Sequence, residues 1–327
     1  MLAGEMGEYK QKALQFIVNY AQVLGAQELC EVSRATLFIG AQHYLDCYGD
    51  DVDYKKIFSE FYLCSDTEVE LGRVACNCKT QTCISCCDSY EDTRTHLSPQ
   101  FHARNRRYLE TIKQMGINVV DSCTPYYVGW VPMMGEHYVT TESSNVVISN
   151  SIFGACGNSD GVEAAVCAAI SGRIPKWGMH VPEQRYGTCL FTLDFEVSTM
   201  MEWDLLGFTL GRLLPKHEKP VILNGLMNVE INRMRQLCAS LSVTSAAEIC
   251  HIVGHTPEPV RWIWRWADKS RNTRLRYAAR TWKRHWPCSA KAAAARSISS
   301  ALAAHMWPWM KFANMRNTWR AGNCRPV

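Results

Sequence analysis

The sequence predicts an α/β protein whose mostly parallel sheets are covered by helices, followed by an irregular C-terminal tail. Two observations lead to this prediction. Between residues 7 and about 253, short apolar runs alternate with longer segments of helical periodicity, the order expected when helices connect parallel strands. Beyond about residue 255 the composition changes abruptly and the alternation stops. We see no internal repeat.

The first half of the chain contains two predicted helix–strand pairs. Apolar residues recur at helical spacing from 7 to 25, where Gly25 is placed to end the helix, and residues 35–40 then have strand character. Ser98 and Pro99 predict the start of a helix that runs to Gly116, because a hydroxyl caps well and proline fits the first turn. The β-branched run 117–120 predicts a buried strand.

The second half continues the same alternation. An alanine-rich helix is predicted from 161 to 171, ending at Gly172, and Cys167 is assigned to the core. We expect tight turns at Gly135, Gly154 and Gly178. The remaining predicted elements are strands at 188–197, 221–223 and 249–253 and helices at 202–214 and 228–241.

Polar groups suited to a site follow the strand predicted at 117–120. Cys123 comes just beyond the carboxyl end of that strand, where open α/β sheets place their ligands. Glu142 and Ser143 follow within the same stretch. A thiolate at this edge can bind iron, and the carboxylate and hydroxyl can hold a polar substrate beside it.

A cysteine-rich run at 76–87 offers a different interpretation. Cys78, Cys83 and Cys86 have the C-x4-C-x2-C spacing of three ligands in two-iron ferredoxins, and the clustered thiols could also hold zinc. No fourth ligand or surrounding fold is recognisable. A small metal-binding protein is therefore one alternative function.

The charge is divided unevenly along the chain. The net charge is +4, but residues 255–327 hold 15 Lys and Arg against two acids, and they contain eight of the eleven tryptophans. Such a segment could attract phosphates and stack on bases, so nucleic-acid binding is a second alternative, although no known module is present. We expect no membrane partner, because no apolar run approaches the length of a span.

The expected location is the cytoplasm, since the N-terminus lacks the pattern of a signal peptide. The 16 cysteines are then expected to be thiols and metal ligands rather than a disulfide framework.

Several motifs together resemble the large, catalytic subunit of aconitase X, the family that includes phosphomevalonate dehydratase and cis-3-hydroxy-L-proline dehydratase. The resemblance covers residues 1 to about 258. Its motifs are Met1-Leu2-Ala3-Gly4-Glu5-Met6-Gly7-Glu8, Cys123-Thr124-Pro125-Tyr126, Glu142-Ser143-Ser144, Asn150-Ser151-x-x-Gly154, Gly172-Arg173-x-Pro175-x-x-Gly178-x-His180, Leu206-Gly207-x-x-x-Gly211 and His251-Ile252-Val253-Gly254.

The resemblance implies an aconitase-like, multi-domain fold and a hydro-lyase that removes water from a small hydroxy acid. It implies an iron–sulfur cluster, two-iron or four-iron, with Cys123 as one of three cysteine ligands. A small subunit is expected to supply a serine as the catalytic base. The residues expected to contact substrate are Gly40, Ala41, Gln42, Asn77, Cys78, Glu142 and Ser143, although the loop at 40–42 departs from the family's Gly-Val-Ser and leaves the substrate open.

The tail predicts a frameshift between about residues 255 and 261. Residues 259–327 are rich in Arg, Ala and Trp, as in coding sequence read out of frame. When the third base of each codon is read with the first two of the next, residues 305–316 together with the codons around them allow a Gly-Cys-Pro-His motif followed by a helix like that of the family. The other two cluster cysteines would lie in that lost frame. The chain as translated is then an impaired dehydratase or an inactive remnant.

Overall fold

The computed structural model confirms the α/β prediction. It contains two parallel sheets and one antiparallel pair of strands, covered by helices. No helix in the part of the chain that it describes is long and apolar enough to cross a membrane. The structure describes residues 1–37, 39, 53–80, 99–120, 124–193, 195–257 and 275–277.

Four of the described α-helices begin and end close to the predicted positions, and the helix predicted at 228–241 runs instead from Ile231 to Ser245. The helices Tyr54–Ile57 and Ser143–Ser151 were not predicted. α1 ends at Gly25 in the left-handed conformation (φ 72°), as the sequence predicted. In chain order the α-helices are α1 Glu8–Leu24, α2 Tyr54–Ile57, α3 Pro99–Gln114, α4 Ser143–Ser151, α5 Val162–Ser171, α6 Met200–Leu213 and α7 Ile231–Ser245.

The strands are short, as expected where each is buried between helices. In chain order they are β1 Leu29–Glu31, β2 Arg34–Leu37, β3 Asn77–Thr80, β4 Tyr138–Thr140, β5 Arg173–Pro175, β6 Cys189–Leu193, β7 Pro220–Leu223, β8 His251–Ile252 and β9 Leu275–Tyr277.

The first sheet has the strand order β3-β2-β4, with all three strands parallel. Ala35 and Leu37 of β2, Ile17 of α1 and Cys167 of α5 are fully buried in one hydrophobic cluster that holds this sheet. Burial of Cys167 confirms its assignment to the core. Because these strands are parallel, the carboxyl ends of β2, β3 and β4 lie at one edge of the sheet.

The segment predicted as a strand at 117–120 pairs at one point only. Asn118 forms an isolated parallel bridge with Lys79 of β3, and its N–H donates to the Cys78 carbonyl at 2.9 Å. Ile117 is buried against the same cluster. The prediction of a buried strand is therefore met only at Ile117, since Asn118 is exposed, Val119 and Val120 are half-buried, and the segment pairs through this one bridge.

The second sheet has the order β8-β7-β6-β9, again all parallel. Its core is a separate cluster built on Trp203, Phe191 and Leu237, each at most 3% exposed. Val147 and Ile148 of α4 also belong to this cluster. Since α4 starts at the carboxyl edge of the first sheet, it joins the two cores.

Helices α6 and α7 approach each other closely because of two glycines. A Cβ atom added at Gly207 would lie within 3.0 Å of the backbone carbonyl oxygen of Leu237, and one added at Gly211 would meet the Thr244 hydroxyl at a similar range. This contact is the physical reason for the Leu206-Gly207-x-x-x-Gly211 motif. A side chain at either position would force the helices apart.

The antiparallel pair β1–β5 was not predicted from the sequence. Cys30 lies opposite Ile174 in this pair. The three glycines predicted at tight turns have φ values of 81° (Gly135), 68° (Gly154) and 57° (Gly178), as the prediction required. Apart from β9, the predicted tail at 259–327 lies outside the described residues, and so does the run of thiols at Cys83, Cys86 and Cys87.

Candidate functional site

A buried polar network fixes the carboxyl edge of the first sheet. The Thr36 hydroxyl of β2 donates to the Thr140 hydroxyl of β4 at 2.7 Å, and the Asn145 amide donates to both hydroxyls, at 3.2 and 3.0 Å. All three residues are fully buried. Since a buried polar group without a partner is costly, this network sets where α4 begins relative to the strand ends.

Glu142 caps the start of α4 with its side chain. Its carboxylate accepts hydrogen bonds from the Ser144 N–H (3.1 Å), the Ser144 hydroxyl (2.6 Å) and the Asn145 N–H (2.6 Å). The residue is only 9% exposed. A carboxylate bound by three donors at a helix N-terminus is held rigidly at the sheet edge.

Ser143 is the first residue of α4 and is exposed. The pair that the sequence singled out therefore has two different environments. Glu142 is fixed and almost enclosed, whereas the neighbouring hydroxyl faces outward. Together they present one anchored acceptor and one accessible hydroxyl at the carboxyl edge of the sheet.

Tyr126 and Arg235, which are not among the predicted site residues, are hydrogen-bonded to each other, and the charge of Glu142 acts on Tyr126. Tyr126, in the 3-10 helix Pro125–Val128, packs against the second core. Burial raises the pKa of its hydroxyl, a hydrogen bond and the charge of Arg235 lower it, and the charge of Glu142 raises it again. The guanidinium of Arg235 also lies 4.7 Å from the centre of the Tyr127 ring.

Arg235 could not be identified from the sequence, because α7 reads there as an ordinary amphipathic helix. Its Nε atom is buried and has no hydrogen-bond partner among the described residues. A guanidinium with a donor to spare, near the rim of a sheet, is suited to bind a carboxylate or a phosphate.

Asn77 and Cys78 lie at the start of β3, away from the carboxyl edge of the first sheet. In the register of the first sheet Asn77 pairs with Arg34, at the amino ends of the strands, whereas Glu142 follows the carboxyl end of β4. Asn77 is exposed, and Cys78 is 1% exposed within the first hydrophobic cluster. The structure therefore does not bring these two residues together with Glu142.

The other predicted site residues lie outside the described residues. These are the metal ligand Cys123 and the loop residues Gly40, Ala41 and Gln42. The segment that contains Cys123 is bounded on one side by the bridge at Asn118 and on the other by the helix that begins at Pro125.

His180, the last residue of the Gly172-to-His180 motif, and Arg185 are both buried. The Arg185 guanidinium donates to the carbonyl oxygens of Met179 (3.1 Å) and Asn150 (3.2 Å). Arg185 thereby ties the turn after β5 to the end of α4. Its observed contacts are structural.

A buried acid lies near α1. Asp160 accepts a hydrogen bond from the Tyr20 hydroxyl at 3.3 Å, and its other carboxylate oxygen has no partner among the described residues. Burial and the charge of Glu248 raise the pKa of Asp160 from 3.8 to about 7. This carboxyl is therefore a source of pH-dependent stability.

Within the described residues, one group of three metal-ligating side chains comes together. It consists of Cys30, His137 and His180, whose ligand atoms all lie within 4.8 Å of one another. The group contains a single thiol. Sequence reasoning did not assemble it, because its members come from three distant parts of the chain.

Two family models match the chain in succession. The model described as the aconitase X first domain matches residues 1–183, and the aconitase X second domain matches residues 187–284. The second match extends beyond residue 258, where the predicted catalytic region ends.

Curated proteins of known activity and a solved structure are similar to the chain. The phosphomevalonate dehydratase large subunit of Thermococcus kodakarensis is 29% identical over 79% of this chain and 61% of the relative. The cis-3-hydroxy-L-proline dehydratase of Pseudomonas aeruginosa is 28% identical over 79% of this chain and 42% of the relative. The crystal structure of Thermococcus kodakaraensis aconitase X in its holo-form superposes with a TM-score of 0.62 and 26% identity, over 80% of this chain and 62% of that chain. The chain thus spans about three fifths of the length of the first of these relatives.

Proposed function

Because the chain belongs to the aconitase X family, we propose that it supplies the large, catalytic part of a hydro-lyase that removes water from a small hydroxy acid. The observation that carries this proposal is the ordered match of two aconitase X domain models along residues 1–183 and 187–284. Phosphomevalonate and cis-3-hydroxy-L-proline are the candidate substrates, since they are named in the activities of the relatives.

The proposed substrate site is the carboxyl edge of the first sheet. Glu142 is held there by three hydrogen bonds, and the exposed Ser143 lies next to it. Both candidate substrates carry a carboxylate, and Arg235 offers a charged donor for it. Gly40, Ala41 and Gln42 remain proposed contacts from the resemblance alone. The resemblance also names Asn77 and Cys78, which lie toward the amino ends of the strands and away from Glu142.

The reaction needs more than this chain's described residues provide. Hydroxide is a poor leaving group, so its departure needs an acid or a metal, and the neighbouring proton needs a base. We propose that a serine of a small subunit acts as the base. An iron–sulfur cluster would supply the Lewis acid, with Cys123 as one ligand.

The described residues do not fit a three-cysteine cluster site. Their one group of three metal-ligating side chains has a single thiol, Cys30. The resemblance implies two further cysteine ligands, and the translated sequence has no counterpart of either one. We therefore assign no catalytic step to the cluster in this chain, and we propose that its activity is impaired.

A frame change between about residues 255 and 261 explains the impairment. The basic, acid-poor composition of 259–327 supports the proposal, whereas the second-domain match to residue 284 favours a later change. Sequencing the gene through this region distinguishes a single missing nucleotide from an unbroken frame.

Turnover tests the function. Two gene products are compared, the chain as translated and a chain whose gene has one nucleotide inserted near codon 258, each with a small subunit of an aconitase X enzyme. We expect the restored chain to eliminate water from one candidate substrate, detected by mass spectrometry, and the translated chain to be inactive.

Glu142→Gln in the restored chain provides the matched variant. We expect kcat/KM to fall by at least about tenfold, because a charge-assisted hydrogen bond is worth about 1.5–3 kcal/mol. Glu163→Gln, at an exposed acid in the first turn of α5, is expected to leave kcat/KM unchanged. Absence of turnover of both substrates by the restored complex would refute the proposal.

A further inference from the structure

The group formed by Cys30, His137 and His180 joins three elements of the first domain. Cys30 lies in β1, His137 directly precedes β4, and His180 ends the 3-10 helix Gly178–His180. The Nδ1 atoms of the two histidines lie 3.0 Å apart. All three ligand atoms lie within 4.8 Å of one another.

Backbone contacts hold each member in place. Cys30 pairs with Ile174 of β5, and its thiol donates to the Ile174 carbonyl at 3.6 Å. His137 forms a bridge with Cys156, and the His180 N–H donates to the Trp177 carbonyl at 3.1 Å. The side chains are therefore brought together by the fold rather than by a flexible loop.

His180 also has an unused polar atom. The residue is 1% exposed, and its Nε2 atom has no hydrogen-bond partner among the described residues. A buried ring nitrogen without a partner is costly unless a ligand or an ion occupies the space beside it. An imidazole gives one metal ion a single nitrogen, so either this Nε2 atom or the Nδ1 atom that contacts His137 is the ligand atom of His180.

Two cations, Lys176 and Arg185, lie near the group. Lys176 is engaged by Glu28 at 2.8 Å, and Arg185 donates to backbone carbonyls. Burial raises the pKa of Cys30 to about 12, with smaller contributions that include the charges of Cys156 and Asp160. A divalent cation can displace the thiol proton, because coordination stabilises the thiolate.

We propose that Cys30, His137 and His180 form a zinc site with three protein ligands and one position open to water. One thiolate and two imidazoles are a donor set typical of tetrahedral zinc. Tetrahedral Zn–N and Zn–S bonds place the donor atoms about 3.3–3.6 Å apart. The observed separations need only small side-chain adjustments to reach these values. The site is distinct in composition from a three-cysteine cluster and does not depend on the proposed dehydratase activity.

Metal titration tests the proposal. The full chain is stripped of metal with a chelator and titrated anaerobically with Zn2+ or Co2+. We expect one equivalent bound through this group, a tetrahedral Co2+ spectrum with a thiolate-to-cobalt charge-transfer band, and a higher melting temperature with Zn2+. The site links β1, β4 and the turn at His180, so metal binding should stabilise the fold.

Variants assign the ligands. Cys30→Ser should abolish the charge-transfer band, and His180→Asn should weaken Zn2+ binding at least tenfold. The controls are Cys238→Ser, at a buried thiol, and His255→Asn, at an exposed imidazole. Circular dichroism of each metal-free variant verifies folding.

The thiols at 76–87 could bind metal as well, so the titration is repeated on a Cys83→Ser, Cys86→Ser double variant. The proposal is supported if the double variant still binds one equivalent of metal and still shows the charge-transfer band that depends on Cys30. A Co2+ spectrum that is unchanged by Cys30→Ser, or the absence of a thiolate band in the double variant, overturns it.

Discussion

Replacing Gly207 with alanine is expected to destabilise the second core by about 1–2 kcal/mol. The added Cβ atom would lie within 3.0 Å of the Leu237 carbonyl oxygen, so α6 and α7 must separate. Overpacking of this kind costs about 1–3 kcal/mol, and alanine's better helix propensity recovers at most about 1 kcal/mol. The urea midpoint of unfolding, followed by circular dichroism, measures the change.

Gly161→Ala is the matched control for this prediction. Gly161 precedes α5 with an ordinary φ of −65°, and an added Cβ atom would meet only the Glu163 carboxylate at 3.6 Å. We expect a change of a few tenths of a kcal/mol, as for a modest loss at an N-cap. A Gly207→Ala midpoint equal to or above that of the wild type would show that the helix contact is looser than described.

Replacing Asp160 with asparagine is expected to stabilise the protein at pH 8 and to have little effect at pH 4. The pKa of Asp160 is raised from 3.8 to about 7, so between these values the folded state binds more protons than the unfolded state. Stability contributed by the protonated carboxyl is therefore lost as the pH rises through this window. The asparagine oxygen can still accept the Tyr20 hydrogen bond.

The gain in the free energy of unfolding from Asp160→Asn at pH 8 is at most about 4 kcal/mol. Each pKa unit corresponds to about 1.4 kcal/mol, and the pKa of Asp160 is raised from 3.8 to about 7. Urea unfolding of both proteins at pH 4, 6 and 8 provides the comparison. Glu183→Gln, at an exposed acid, is the control variant. A stability difference for Asp160→Asn that is constant or that shrinks with rising pH would contradict the assignment.

Much of the fold follows from local sequence patterns. The helix at 7–25, the alanine-rich helix at 161–171 and the turns at Gly135, Gly154 and Gly178 were predictable, because capping, periodicity and positive φ leave local signatures. The β1–β5 pair was missed. Its two three-residue strands are far apart in sequence, and strands of that length have no detectable periodicity.

The candidate site was predictable in part. Glu142 and Ser143 lie at a carboxyl edge, but Asn77 lies at the opposite edge, because a motif gives no information about which end of a strand a residue occupies. Arg235 and the Cys30–His137–His180 group depend on contacts between distant elements. Such contacts are fixed by packing and leave no local pattern.

The residue on which the proposed dehydratase most depends is Cys123. When the frame-restored chain is reconstituted anaerobically with iron and sulfide, we expect it to bind about one cluster. Cys123→Ser should lose the bound iron and the acid-labile sulfide. The control Cys238→Ser should retain both. Iron and sulfide contents that are equal in the restored chain and in its Cys123→Ser variant would contradict a cluster anchored at this sheet edge.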